Sequence, residues 1–239
     1  MRKKRWLLAL CFVFSGLGFF SCRDRLFDNP FDPDRELTAY ELVATISIPG
    51  ISPLDLAFSG DSLWVVDTAS RIISLNYNSG AVIRQLDFYQ LVNGICYDGD
   101  GLWVSRRGQS QIIKIDIVNG SVIRVLNLVR GDLAGMDFFD DRLYIIDRQT
   151  NSVLVVSPET GAIDQSITCP GFSLNGVAFD GVHLWTIDSN QQRIYRLTES
   201  GTVVGTYQAP SPTVVGLCFN SGIIWCGDQT GKIYQLKFQ

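Results

Sequence analysis

Five stretches of the chain repeat one pattern. PLDLAFSGDSLWVVD begins at Pro53, VNGICYDGDGLWVSR at Val92, LAGMDFFDDRLYIID at Leu133, LNGVAFDGVHLWTID at Leu174 and VVGLCFNSGIIWCGD at Val214. An aromatic falls in phase in each, at Trp64, Trp103, Tyr144, Trp185 and Trp225, at intervals of 39, 41, 41 and 40 residues. An apolar pair follows every time: Ile72/Leu75, Ile112/Ile115, Val153/Val156, Ile194/Leu197 and Ile233/Leu236. Turn glycines then stand at Gly80, Gly120, Gly161 and Gly201. A fixed period near 40 means an array of like units that bury their faces against one another.

Within each copy the runs are short and rich in Val, Ile, Leu and aromatics, and they are separated by Gly, Asp, Asn or Ser. That is strand chemistry. The second copy shows four runs, NGICY, LWVS, IIKID and SVIRVLNL. Four-stranded units at this spacing are the blades of a β-propeller, so the fold class is all-β, a five-bladed β-propeller of four-stranded blades. Gly94, Gly135, Gly176 and Gly216 mark the innermost strands, which crowd at the axis; Cys96, Asp137, Ala178 and Cys218 follow two residues later. The aromatics pack between blades. Each buries about 150–250 Å², roughly 4–6 kcal/mol of gross transfer free energy.

The fifth copy stops at KIYQLKFQ, one strand short, while ELVATISI from Glu41 matches the outer-strand pattern of AVIRQLDF and SVIRVLNL. The pattern therefore predicts that a strand over residues 42–48 pairs beside Ile233–Leu236, completes the last blade and covers an edge that could aggregate. The propeller spans 41–239, with repeats near 53–91, 92–132, 133–173, 174–213 and 214–239 plus 41–49.

MRKKR, a run of fifteen mainly apolar residues (WLLALCFVFSGLGFF) and Ser21-Cys22 open the chain. A basic stretch and an apolar run too short for a confident span read as an export signal over 1–21. FFSC resembles the processing site of bacterial lipoproteins, although Phe19 stands where that pattern prefers Leu. The resemblance implies lipidation at Cys22, a membrane partner through that lipid and a place in the cell envelope. Residues 22–40, charged and carrying Pro30 and Pro33, read as a tether. Loss of the signal takes the net charge from −4 to −8, and with no basic block this excludes a nucleic-acid partner, whose binding rests on phosphate neutralisation. Cys96, Cys169, Cys218 and Cys226 remain in a compartment that permits disulfides. They fit no zinc template and read as buried small hydrophobes rather than bridges.

Candidate site residues are few. The only histidine, His183, aligns with Ser62, Gly101, Arg142 and Ile223, a variable position, and reads as surface loop. A column three residues after the aromatics holds Asp67, Arg106, Asp147, Asp188 and Asp228. An Asp there can pin a turn through backbone N–H groups. Alternatively this rim, with Arg106 and Arg107 as its basic break, grips a ligand or a structural cation, although no motif requires a cofactor. The inner-strand starts on the same face carry Asn93, Asn175, Asp132 and Asp55, so a pocket should open there. No G-x-S-x-G, P-loop or H-E-x-x-H is present.

The steps Asp188-SNQQ-Arg193-Ile194 and Asp147-RQTNS-Val153 resemble the NHL and YVTN propeller repeats over residues 42–239, a likeness specific for fold rather than chemistry. By blade number, and in LVNGICYD and SLNGVAFD, the chain also resembles the glutaminyl cyclotransferases. That resemblance implies an acid–base carboxylate, a Glu, near the channel. Here Glu36, Glu41, Glu159 and Glu199 lie in no inner strand, and Asp55 and Asp137 are the only inner-strand acids. The expectation is therefore a lipid-anchored envelope module that binds a protein or small ligand. A small-molecule enzyme with its site at the propeller mouth is the alternative.

Overall fold

The computed structural model describes residues 37–129 and 131–238. The export signal, Cys22 and the tether up to residue 36 lie outside the described residues. The described residues form twenty strands and no helix. Blade 1 holds β2 (Pro53–Ser59), β3 (Ser62–Asp67), β4 (Ile72–Asn76) and β5 (Val82–Leu86). Blade 2 holds β6 (Val92–Tyr97), β7 (Gly101–Arg106), β8 (Gln111–Asp116) and β9 (Val122–Asn127). Blade 3 is β10 (Leu133–Phe139), β11 (Arg142–Asp147), β12 (Ser152–Val156) and β13 (Ile163–Thr168), and blade 4 is β14 (Leu174–Phe179), β15 (Leu184–Asp188), β16 (Arg193–Leu197) and β17 (Val203–Gln208). Blade 5 combines the two ends of the propeller: β18 (Val214–Asn220), β19 (Ile223–Asp228), β20 (Lys232–Phe238) and, outermost, β1 (Tyr40–Ser47).

The seam has the pairing that the repeat implied. Leu42 faces Leu236 and Ile46 faces Ile233, antiparallel, with a bulge at Val43. The strand starts at Tyr40, two residues earlier than the apolar pattern suggested, because Tyr40 pairs with Phe238 and packs on its ring at 5.5 Å.

Each of the five apolar clusters lies between neighbouring blades. Trp64 and Val66 of blade 1 pack with Val92, Ile95 and Leu102 of blade 2. Trp103, Tyr144, Trp185 and Trp225 take the same place at the next four junctions. The core is thus a ring of inter-blade layers, and closing the ring buries the last of them. The indole N–H of Trp103 donates to Asp98 and that of Trp185 to Asp180. Burial alone would raise both carboxyls, but Lys114 and N–H donors hold Asp98 low, and Trp185 with N–H donors holds Asp180 low.

The inner strands approach so closely that side chains are excluded there. A Cβ on Gly94 would lie 2.0 Å from the Ala134 carbonyl oxygen, and one on Gly135 would lie 2.4 Å from that of Asn175. At the perimeter, side-chain arms link blades. Arg84 donates to the Ile117 carbonyl (2.6 Å), Arg124 to that of Pro158 (3.0 Å) and Gln165 to that of Glu199 (3.3 Å). Each arm reaches the turn between the third and fourth strands of the next blade. Blade 5 has no such turn, since those strands are opposite ends of the chain, and the residue of β17 in register with the arms is Gly205.

Candidate functional site

A β-bulge near the start of every inner strand builds the mouth of the propeller. Pairing with the second strand slips between Pro53 and Asp55, Val92 and Gly94, Leu133 and Met136, Leu174 and Gly176, and Val214 and Gly216. A bulge re-aims the side chain it carries. Leu54, Asn93, Ala134, Asn175 and Val215, one from each blade, thereby line a cavity of about 80 Å³ on the axis together with Arg148 and Gln229.

A second ring holds the mouth in shape. The backbone N–H groups of Thr68, Arg107, Arg148, Ser189 and Gln229 donate to the carbonyls of Ser52, Leu91, Asp132, Ser173 and Thr213. Each of these five donors follows directly on the Asp/Arg column, so side chains one position beyond that column reach the mouth. Arg107 donates to the Asn93 side-chain oxygen at 2.8 Å, and the Asn93 amide donates to the Leu133 carbonyl. Asn175 donates to Ser189 Oγ and to the Ser173 carbonyl. The Nε of Arg148 is buried with no hydrogen-bond acceptor; its nearest carboxylate, Asp132, stands 3.7 Å away.

The column itself faces into the turns. Asp67 accepts from the N–H groups of Ala69 and Arg71 and from the Arg71 guanidinium. Asp147 accepts from Asp132 and Gln149 N–H and Thr150 Oγ1, and Asp188 from Asn190, Gln191 and Phe172 N–H. Asp228 accepts from Thr230, Lys232 and the Tyr234 hydroxyl. All four are buried. Arg106 donates to the Gln111 side chain in the same turn position. Of the sequence-derived rim, therefore, Asn93 and Asn175 line the mouth, whereas Asp67, Arg106, Asp147, Asp188 and Asp228 surround it from their turns. No group of three or more His, Cys, Asp or Glu side chains among the described residues is arranged to hold a metal ion.

Beneath the mouth the axis is closed by one side chain. Asp55 occupies the position that is glycine in the other four blades, and those glycines leave room for it. Its Oδ2 accepts from Ile95 N–H (3.0 Å, blade 2) and Met136 N–H (2.9 Å, blade 3), while Oδ1 is buried without a partner. Burial holds Asp55 well above the usual carboxylate range, against the pull of its N–H donors, and the charge of Asp137 adds to the rise. Asp137 accepts from Phe179 and Phe138 N–H and is pushed up by burial to about 7. Cys96 and Cys218 lie in the same layer as Asp137 as free thiols, raised by burial first and by the two carboxyls next. Cys169 and Cys226 are free and buried too.

Hollows also lie away from the axis, one of them of about 290 Å³ between blades 2 and 3 at Trp103, Lys114 and Phe138. Another, of about 250 Å³, opens on the mouth face between the blade 1 turn at Ala69–Arg71 and the loop through Tyr89 and Leu91. A third, about 330 Å³, lies on the opposite face at the seam of blades 4 and 5, among Val182, Trp185, Phe219 and Phe238. His183 borders this third hollow in the expected loop, but its ring is half-buried beside Asp180 rather than fully solvated.

No protein-family model and no curated protein sequence matches the chain. Among solved structures, a glutaminyl cyclase of Myxococcus xanthus superimposes with a TM-score of 0.72 at 12% identity, over 83% of this chain and 95% of that one. A virginiamycin B lyase from Staphylococcus aureus gives 0.52 at 17% identity over 80% and 68%. The WD40 β-propeller domain of Doa1 gives 0.53 at 10% identity over 85% and 98%. These likenesses place the chain among the β-propellers. At such identities they speak for the fold, which hosts enzymes and binding domains alike.

Proposed function

We propose that the chain is an exported, lipid-anchored propeller of the cell envelope that binds a partner on its mouth face. The observation that carries this reading is an exposed apolar rim. Tyr89 and Val129 are each 92% exposed, and Leu91 and Phe172 are also largely in solvent. All four sit in loops that run from one blade's outer strand to the next blade's inner strand, and those loops share one face. Large apolar groups gathered in solvent mark interaction surfaces, and aromatic anchors supply much of the free energy of such contacts. The carboxyls on the axis support the same reading, because backbone N–H groups already engage them and Asp55 has no exposed surface.

Replacing Tyr89 and Val129 together by Ser is expected to leave the thermal midpoint within a few degrees while abolishing capture of envelope components that the mature wild type retains. Identical capture by both proteins would contradict the reading. Anchoring is tested separately. The full chain should incorporate labelled palmitate and fractionate with membranes, and Cys22→Ser should do neither; an unlabelled wild type removes the lipid from the account.

The enzymatic alternative draws on the glutaminyl cyclase likeness and on Asp137, raised by burial to about 7 and so able to exchange a proton near neutrality. Its assay is direct. Turnover of an N-terminal glutaminyl peptide by the wild type but not by folded Asp137→Asn or Asp55→Asn variants would replace binding as the function.

A further inference from the structure

The mouth has a chemical character that the rest of this acidic protein lacks. Its floor and walls are apolar at Leu54, Ala134 and Val215, and its polar lining is Asn93, Asn175, Gln229 and one cation, Arg148. The amide nitrogens of Asn93 and Asn175 are already engaged with protein acceptors. Arg148 is different. It carries a permanent positive charge and lines the cavity, its side chain is partly exposed, and its ion pair with Asp132 is loose, 3.7 Å from Nε, too long for a hydrogen bond. Gln229 lines the same cavity from blade 5, with an exposed side chain. A guanidinium and an amide on the wall of one cavity, with no carboxylate among the lining residues, fit a planar two-oxygen anion.

Size restricts what can carry that anion. A volume of about 80 Å³ suits a carboxylate and its adjoining carbon, the size of a chain terminus or of an Asp side chain. The exposed rim starts immediately outside, since Leu91 is two residues before Asn93 in the chain and Tyr89 two before that. A ligand that uses both features enters end-on, anion first, and lays apolar groups outward. A polypeptide C-terminus with apolar last residues has this form.

Resting on the mouth-face reading above, we propose that the mouth captures the free C-terminal carboxylate of a polypeptide, with Arg148 as its cation, Gln229 as a second donor and the rim at Leu91, Tyr89 and Val129 receiving the last apolar side chains. Arg107 shapes the site by fixing Asn93 and does not need to touch the ligand. Burial raises the pKa of Asp55 in the layer below and so disfavours a negative charge there.

The test uses the mature protein and two synthetic pools of tetrapeptides ending in Phe, Leu, Ile or Val, one with free C-termini and one amidated, in calorimetric titration. The free-acid pool should bind, and the amidated pool should bind at least about tenfold more weakly, the loss of one charge-assisted pair. Arg148→Gln should remove that difference, while Arg148→Lys, which keeps the charge without the fork, should restore part of it. Circular dichroism checks that each variant is folded. Equal binding of the two pools would overturn carboxylate capture and leave the mouth-face reading standing. Binding that ignores Arg148 would overturn the site. Failure of both pools, together with unaltered envelope capture by the Tyr89/Val129 variant, would remove the mouth-face reading itself.

Discussion

Removing residues 39–49 is expected to cost the propeller about 3–6 kcal/mol or more and to turn a soluble ring into an aggregating one. The segment contributes all of β1, and with it the buried side chains of Ile46 and Ile48. Burying one such side chain is worth about 1.5–3 kcal/mol. Those two isoleucines belong to the cluster that joins blade 5 to blade 1, together with Leu56, Val65 and Ile233. The deletion also strips the pairing from β20 between Lys232 and Phe238 and leaves an open edge. Denaturant titration of the mature wild type and the deletion measures the loss. Ile46→Ala, which keeps the strand, should lose about 2–5 kcal/mol through its cavity and serves if the deletion cannot be purified. An unchanged midpoint in both would show that the seam does not hold the ring.

Asp55→Ala is expected to be the most damaging single substitution at the axis. It leaves the N–H groups of Ile95 and Met136 buried without an acceptor, at about 1–3 kcal/mol each and so about 2–6 kcal/mol together. Asp55→Asn keeps an acceptor and separates packing from charge. The folded-state pKa values of Asp55 and Asp137 lie above the ordinary carboxylate value. Stability from a group raised in this way is complete below its unfolded value and is lost as pH rises through the folded one. The wild type should therefore weaken as pH rises from the ordinary carboxylate range to about 7, the folded value of Asp137, and Asp55→Asn should weaken less. Asp98, Asp180 and Asp228 are held low and act oppositely, giving up stability only as pH falls below the ordinary carboxylate range. Parallel melting curves for wild type and Asp55→Asn between pH 5 and 8 would show that Asp55 carries no such charge burden.

The ring and its seam were legible because they follow from spacing alone. An aromatic every 40 residues or so fixes the blade number, and the strand missing after KIYQLKF reappears in ELVATIS. The mouth was less legible, for a specific reason. The residues three beyond each aromatic carried two readings, an Asp that pins its own turn and a rim that grips a ligand. The five bulges re-aim inner-strand side chains, Asn93 and Asn175 among them, toward the axis. The acids turn into their own loops, and the following position, with Arg107, Arg148 and Gln229, faces the axis. Nothing in a single sequence marks those bulges except the glycines beside them. Asp55 could have been placed better. Setting PLDLAF over VNGICY puts it in the glycine column, the narrowest layer of the ring, where only one side chain of the five can fit. Its role as an axial plug follows from that alignment.

The claim on which the functional account turns is that the mouth face is the working surface. Hydrogen exchange of the mature protein, with and without the free-acid peptide pool, tests it most directly. The account expects new protection in 87–93, 128–134 and 170–175 and around Arg148, with none at 98–101 or 180–183 on the opposite face. Protection confined to that opposite face, or to the seam hollow at Trp185 and Phe238, would contradict it.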